Sequence, residues 1–345
     1  MKFIFTTLLI FVGLTTSVIY GQSSTPIDKV QFFKDELPVN ATIEAYWTKL
    51  VKQKNKPGQI TFARFISKLP DGTLVNEPIQ LEVRGHFRRD YCSMPPIKLS
   101  FKKKDSSIMH PLKSLKLVSA CRESNAHQQY LIKEYLVYKM YNLLTDKSFR
   151  VRLLNLNYSD SNGKKNDFSS QAFLIEDVKE MAKRSKCMEW SKGKIFTEST
   201  ERNQMTLVTL FEYMIGNTDW SVPANHNIKL IQSKDDSASR PFAVPYDFDY
   251  AGIINTDYAV PDPLLNTETV QQRVYRGFAR TFEEINETLA IFQQQKAAIY
   301  ALVNNCEILT AGSKKNMTNY LNGFYELINK PKEVKSVFMD NARVE

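Results

Sequence analysis

The sequence predicts an α+β protein of two lobes, with a strand-rich front, a helix-rich back and a cleft between them. Three observations lead there. Between residues 59 and 118, short segments alternate apolar and polar residues at the period of half-buried strands. From 128 to 144 the period lengthens to that of a helix. From 267 to the end the pattern is mostly helical, and no internal repeat or long low-complexity tract interrupts the chain.

The elements follow in order. Lys2, an apolar run over residues 3–12 and a softer stretch to Gly21 have the layout of a secretory signal peptide, so residues 1–21 are expected to be removed on export. Thr6, Thr7, Gly13, Thr15, Thr16 and Ser17 dilute the run below what a bilayer span needs, and no later stretch is apolar enough to cross one, so the mature chain is expected to lack a transmembrane anchor and to be secreted or periplasmic. Residues 22–58 form a lead-in, punctuated by Pro26, Pro38 and Pro57. Residues 59–345 form the folded domain, its front lobe spanning about 59–176 and its back lobe about 177–345.

Within the front lobe, 59–69 reads as a strand, Asp71-Gly72 as a turn, and 79–83 as the returning strand of a hairpin. Segments 97–101 and 115–118 alternate again. The helix over 128–144 sets Leu131, Tyr135 and Tyr138 on one face. Strands at 151–158 and 171–176 flank a polar loop. An apolar helix at 205–215 stops at Gly216, a residue suited to helix ends. A hairpin then pairs 228–232 with 242–245 across a charged turn, and helices are expected within 267–306 and over 314–327.

The formal charge of +9 suits anionic ligands such as phosphates, acidic substrates or a cell envelope. It does not indicate nucleic acid, because no dense basic helix or aromatic-interleaved basic stripe accompanies it. The four cysteines, Cys92, Cys121, Cys187 and Cys306, contain no C-x-x-C pair, which disfavours zinc and thioredoxin chemistry. Export favours disulfides. Cys92 and Cys121 each lie beside a strand-like segment, so their pairing would staple neighbouring strands. No nucleophile elbow, Walker loop, H-E-x-x-H or dinucleotide fingerprint is present.

The densest group of chemically capable residues is Gly216-Asn217-Thr218-Asp219-Trp220, then Asn225-His226-Asn227, then Tyr246-Asp247-Phe248-Asp249-Tyr250. A hairpin returns the chain to its start, so Asp219, Asn227 and Asp247 can meet. Two carboxylates and an amide oxygen suit Mg2+, and a further carboxylate can accept a proton from an attacking hydroxyl. Protein kinases order the same parts as an Asp base, an Asn and a later metal-binding Asp-Phe-Gly; here the Asp-to-Asn interval is longer and Asp249 replaces the glycine. Asn225 is the alternative to Asn227. Upstream, Arg84-Gly85 opens a basic turn, with Arg88 and Arg89, that could cover a polyphosphate; Lys98 on the next strand could reach the phosphates. A helix glutamate could hold that lysine, Glu134 first and Glu176 second. His226 stands alone as an imidazole near the cluster, which fits a packed, hydrogen-bonded residue better than a zinc ligand.

Arg84-Gly85, Lys98, the segment 172–177, Gly216-Asn217-Thr218-Asp219 with Asn225 and Asn227, and Pro245-Tyr246-Asp247-Phe248-Asp249 occur in the order found in the CotH-type spore-coat kinase family. The chain resembles an exported, Bacteroidetes-type member of that group over residues 59–252 or so. His86-Phe87 stands where the family has Asn-Ser, and Tyr246 where it often has Trp. The resemblance implies a divergent, two-lobed protein-kinase-like fold, ATP with Mg2+ (or Mn2+), and phosphorylation of a protein substrate or cell-envelope component outside the cytosol. By position, Asp219 would be the catalytic carboxylate, Asp247 with Asn227 and Asp249 would bind the metal, and Arg84, Gly85, Lys98, Glu134 and Glu176 would serve the nucleotide. Two rival readings remain: a catalytically inactive pseudokinase or envelope binding module, and a metal-dependent phosphoester hydrolase using the clustered carboxylates.

Overall fold

Alternating hydrophobicity needs a partner for its apolar face, and here the strands find it in one another. The computed structural model describes residues 28–344 except 57, 70, 86 and 103–106, with the side chains of 29 and 30 also left aside. The proposed signal segment, residues 1–21, lies outside the described residues. Helix α1 (Lys29–Lys34) leads into β1 (Val39–Ala45), and α2 (Trp47–Lys52) follows. Then come β2 (Ile60–Lys68), β3 (Leu74–Val83), the short α3 (Phe87–Tyr91), β4 (Ile97–Phe101) and β5 (Ser114–Ser119). The long helix α4 (Asn125–Leu144) precedes β6 (Val151–Asp160) and β7 (Phe168–Ile175). These seven strands form a closed barrel in the order β1-β2-β3-β4-β5-β7-β6, antiparallel throughout except for the parallel β1–β6 pair that shuts it.

The barrel overturns the expected two-lobed kinase-like fold. The α+β class stands, but the front is a closed sheet rather than an open lobe above a cleft. The physical reason lies in the stretch read as a lead-in. In β1, residues Val39, Ala41, Ile43 and Ala45 point inward in strict alternation, and the strand pairs with β2 on one side and β6 on the other. A strand that satisfies both neighbours leaves no edge there to begin a cleft.

Phe65, Ile79, Leu81, Leu99, Leu117, Leu154, Leu156 and Leu174 fill the interior around Ile43. Strands β6 and β7 are apolar on both faces, because their outward residues Val151, Leu153, Phe173 and Ile175 pack on the second core. That core centres on α4 and α6 (Arg202–Ile215), with α7 (Phe282–Asn304) and α8 (Ala311–Ile328) behind. Helix α4 starts where the Ser124 hydroxyl accepts the His127 N–H, and its buried residues cover nearly its whole circumference, as a helix wedged between two layers requires. Helix α5 (Val178–Arg184) and a small sheet, β8 (Cys187–Glu189), β9 (Ile228–Ser233) and β10 (Phe242–Pro245) in the order β10-β9-β8, complete the back. The 267–281 stretch, expected to be helical, is irregular except for turns; α7 begins at Phe282, behind a capping box between Thr281 and Glu284.

Among the described residues no helix is long and apolar enough to cross a membrane. Cys92 and Cys121 are disulfide-bonded, as their positions suggested, while Cys187 and Cys306 are free.

If β1 is a closing stave of the barrel, Ile43→Ala should cost on the order of 2–5 kcal/mol, measured by denaturant unfolding, because it empties a fully buried site. Leu37→Ala, at a position 62% exposed, should cost almost nothing. Equal effects of the two substitutions would return residues 22–58 to the status of a dispensable lead-in.

Candidate functional site

Helix α6 ends because Gly216 adopts a left-handed conformation at its C-cap, and a Cβ there would collide with the Tyr320 hydroxyl. The turn that follows is fixed from within. The Asp219 N–H donates to the Asn217 side-chain oxygen, and Arg276 reaches the Thr218 carbonyl. Asp219 is then gripped by its own loop: Asn227 donates its amide to the Asp219 carbonyl at 2.7 Å and to Oδ2 at 3.0 Å, and His226 Nε2 lies 2.8 Å from Oδ1. Asn225 and Asn227 both have positive φ, which asparagine tolerates better than most residues.

The Asn227 carbonyl accepts the Tyr246 N–H at 3.0 Å, so the first acidic loop meets the second. Beyond β10, Phe248 is fully buried and packs edge-on against Tyr138 of α4 and Phe211 of α6. This anchor divides its neighbours. Asp249 turns into the protein, whereas Asp247 stays partly exposed, held at φ +67° with its N–H donated to the Tyr138 hydroxyl at 2.8 Å. A non-glycine residue held there is a common mark of a functional site.

Behind these loops lies a buried charge cluster. Arg88 of α3 donates to the Ser119 carbonyl at 2.8 Å and lies 3.6 Å from Glu134 and 3.8 Å from Asp249. Tyr258 donates its hydroxyl to Asp249 at 3.0 Å. Burial pushes the Asp249 carboxyl up to about 7; Asp247 pushes the same way, and Arg88 and Tyr258 oppose it. Burial likewise raises Glu134 well above the usual carboxylate range, against the pull of Arg88. A cavity of about 10 Å³, roughly the room of one water, is bounded by Arg88, His127, Glu134, Asp249 and Tyr258.

The cations come from the barrel, which carries Arg84 and Lys116, and from β9 of the small sheet, which carries Lys229. Lys116 of β5 lies over the Tyr246 ring at 4.2 Å. Burial and then Arg84 push its ammonium down to about 8; Asp247 opposes this and Lys229 adds to it. Lys98, the lysine favoured from the sequence, occupies the cross-strand position beside Lys116 but one strand further round, where it pairs with Glu82 at 3.4 Å on the surface. Glu176 is also elsewhere: it pairs with Arg184 at 2.9 Å and accepts the Arg150 N–H. Arg84 and Gly85 remain beside the site, Gly85 with φ +77°, while Glu134 pairs with Arg88 rather than with a lysine. The structure therefore brings together Asp219, Asn227, Asp247, Asp249, Glu134 and Arg84, and separates Lys98 and Glu176 from them.

Sequence reading missed Lys116, Tyr138, Tyr258 and Glu212 as site residues, and placed Arg88 in a basic turn over a polyphosphate rather than against Glu134 and Asp249. Glu212 of α6 is fully buried, beside the Asn217 side chain and Arg276. A glutamate amid eleven apolar or small-polar neighbours in one helix was the available signal. Burial pushes it up to about 8, against the opposing effects of Asn217 and Arg276.

Fold and site together define an α+β protein in which two joined acidic loops lie near cations carried by β5, by the turn after β3 and by β9. No protein-family model matches the chain, and no curated protein matches it significantly. The likeness to the CotH-type family rests on the order of short motifs.

Glu212 gives a pH test of this interior. Its folded value lies above that of an unfolded glutamate, so the stability tied to its proton is complete below about pH 4 and is lost as pH rises through about 8. The melting temperature should fall between about pH 5 and 8, and Glu212→Gln should flatten that fall by a few degrees. An unchanged slope in the variant would show that Glu212 is ionised in the folded chain at neutral pH.

Proposed function

We propose that the chain is an exported phosphotransferase that uses ATP with Mg2+ or Mn2+ and delivers phosphate to a protein or cell-envelope acceptor. One observation carries the reading. Asp247 lies near two other carboxylates, Glu134 and Asp249, and near Lys116, whose ammonium is depressed first by burial and then by the like charges of Arg84 and Lys229. A divalent cation relieves the first strain and a polyphosphate the second. The reading rests on this site and not on the fold.

Among the described residues no group of three or more His, Cys, Asp or Glu side chains could hold an ion unaided. Mg2+ does not need such a cage, since it binds through one or two carboxylates and completes its shell with water and phosphate oxygens. Asp247 fits that requirement, because its carboxylate accepts no hydrogen bond among the described residues. Asp249, engaged by Tyr258 and Arg88, and Asn227, engaged by Asp219, support it from behind. When bound, the ion supplies charge neutralisation at the transferring phosphoryl group.

The chain's own residues do the rest. Lys116 and Arg84 bind the phosphates, taking the part expected of Lys98. Asp219, aimed by His226 and Asn227, orients the acceptor hydroxyl and takes its proton. The acceptor oxygen forms the new bond to the γ-phosphorus as the bond to the bridging oxygen breaks, and the electron pair leaves with the nucleoside diphosphate.

The test combines thermal shift with transfer of labelled γ-phosphate. Mg-ATP should raise the melting temperature where Mg2+ alone does not, and Asp247→Asn should abolish the rise. Asp219→Asn should keep the rise yet lose at least about 100-fold in transfer. Nucleotide affinity should weaken as pH rises through about 8, where Lys116 sheds its proton. Phosphate release from a simple ester with metal alone would favour a hydrolase; no response to any nucleotide would leave a binding module.

A further inference from the structure

A cavity of about 420 Å³ opens beside the Asp219 loop, walled by Phe196, Trp220, Val222, Pro223, Phe278 and Arg343. It borders the candidate site directly. Ser221, also in its wall, exchanges two backbone hydrogen bonds of 2.9 Å with His226, the residue whose Nε2 meets Asp219. A group seated in the cavity therefore lies one ladder pair from the Asp219 carboxylate.

The wall has a distinct chemistry. Phe196 is 78% exposed, so no packing within the chain accounts for it. Glu198, the acidic residue in the wall, is neutralised by Arg280 at 2.8 Å and Arg202 at 3.5 Å. Arg343 has no carboxylate partner among the described residues, and its neighbour Arg276, turned toward the Thr218 carbonyl, repels it. Among the described residues the cavity thus presents an aromatic floor with one cation at its edge, Arg343, that lacks a carboxylate partner. A sugar would need several hydrogen-bonding groups, and apart from the charged residues the wall holds only the hydroxyls of Thr197 and Ser221 and the indole N–H of Trp220.

We infer that this cavity is the acceptor subsite and that its occupant is an acidic peptide: an aromatic or aliphatic side chain fills the apolar part, an adjacent Asp or Glu meets Arg343, and a neighbouring hydroxyl residue reaches Asp219. The inference rests on the phosphotransfer reading for the fate of that hydroxyl, but the docking is independent of nucleotide. Arg343 supplies selectivity by charge, and Phe196 and Phe278 supply contact area that a peptide side chain covers.

The experiment is calorimetric titration of the mature chain, without nucleotide, by capped octapeptides containing Asp-Phe-Ser, Lys-Phe-Ser or Asp-Ala-Ser. The Asp-Phe-Ser peptide should bind at least about tenfold more tightly than either other peptide, a difference near 1.4 kcal/mol. Arg343→Glu should reverse the preference between the Asp and Lys peptides. Phe196→Ala should weaken binding about tenfold with no loss of melting temperature, since the side chain is exposed. Equal affinity for the three peptides, or affinities indifferent to both substitutions, would overturn the assignment. Selective binding without phosphate transfer would uphold the docking and count against the phosphotransfer reading alone. Transfer that ignores Phe196 and Arg343 would uphold that reading and reject this cavity.

Discussion

The Arg88 guanidinium is the interaction on which the candidate site depends. Glu134 and Asp249 are both buried, and an unpaired buried carboxylate costs several kcal/mol. Arg88 lies within 4 Å of each and also bonds the Ser119 carbonyl, so one side chain joins α3, α4, β5 and the loop after β10. The Cys92–Cys121 bond ties the segment following α3 to the one following β5, and the Ser93 N–H donates to the Cys121 carbonyl. The aromatic rings of Phe87, Tyr91 and Tyr258 close over the same place. Bulk solvent is kept to a cavity with room for about one water, and the low local dielectric strengthens the charge interactions inside.

From that cluster the site grows outward in layers. Phe248 and Tyr138 fix the chain so that Asp247 and Asp249 point apart, one to the surface and one to Arg88. The Tyr246–Asn227 hydrogen bond joins the two acidic loops, and Asn227 holds Asp219. Glu212 and Asn217 lie behind the first loop, where burial favours a neutral carboxyl. The exposed chemistry is therefore carried on a rigid base, the arrangement that positioning of reacting groups requires.

Much of this was legible in the sequence, and the failures have physical causes. Period-2 alternation gave β2, β4, β5 and β6 to within a residue or two, and Gly216 marked the end of α6 correctly. Closure of the barrel was not legible, because it depends on parallel pairing between β1 and β6, more than a hundred residues apart, and propensity carries no information about such contacts. The short β1, flanked by Pro38 and read as a lead-in, hid the stave that closes the sheet. Asp219, Asn227 and Asp247 were found because a hairpin must return to its origin. Lys98 was preferred over Lys116 because both alternate outward on neighbouring strands, and only the curvature of the sheet decides which one faces the acidic loops. Arg88 was grouped with Arg84 and Arg89 in one phosphate-covering turn; nothing in a basic run tells which member turns inward to pair with buried carboxylates.

The central claim is that one cation makes the buried carboxylates tenable. Its most direct measurement is a double-mutant cycle in unfolding free energy at pH 7 with Arg88→Met, Asp249→Asn and the pair. Arg88→Met should cost on the order of 3–5 kcal/mol, since it leaves buried charge uncompensated, and Asp249→Asn should restore part of that loss in the double variant. Part of the loss should also return at acid pH, where the carboxyls are protonated. Strict additivity of the two substitutions, with no recovery at low pH, would contradict the account.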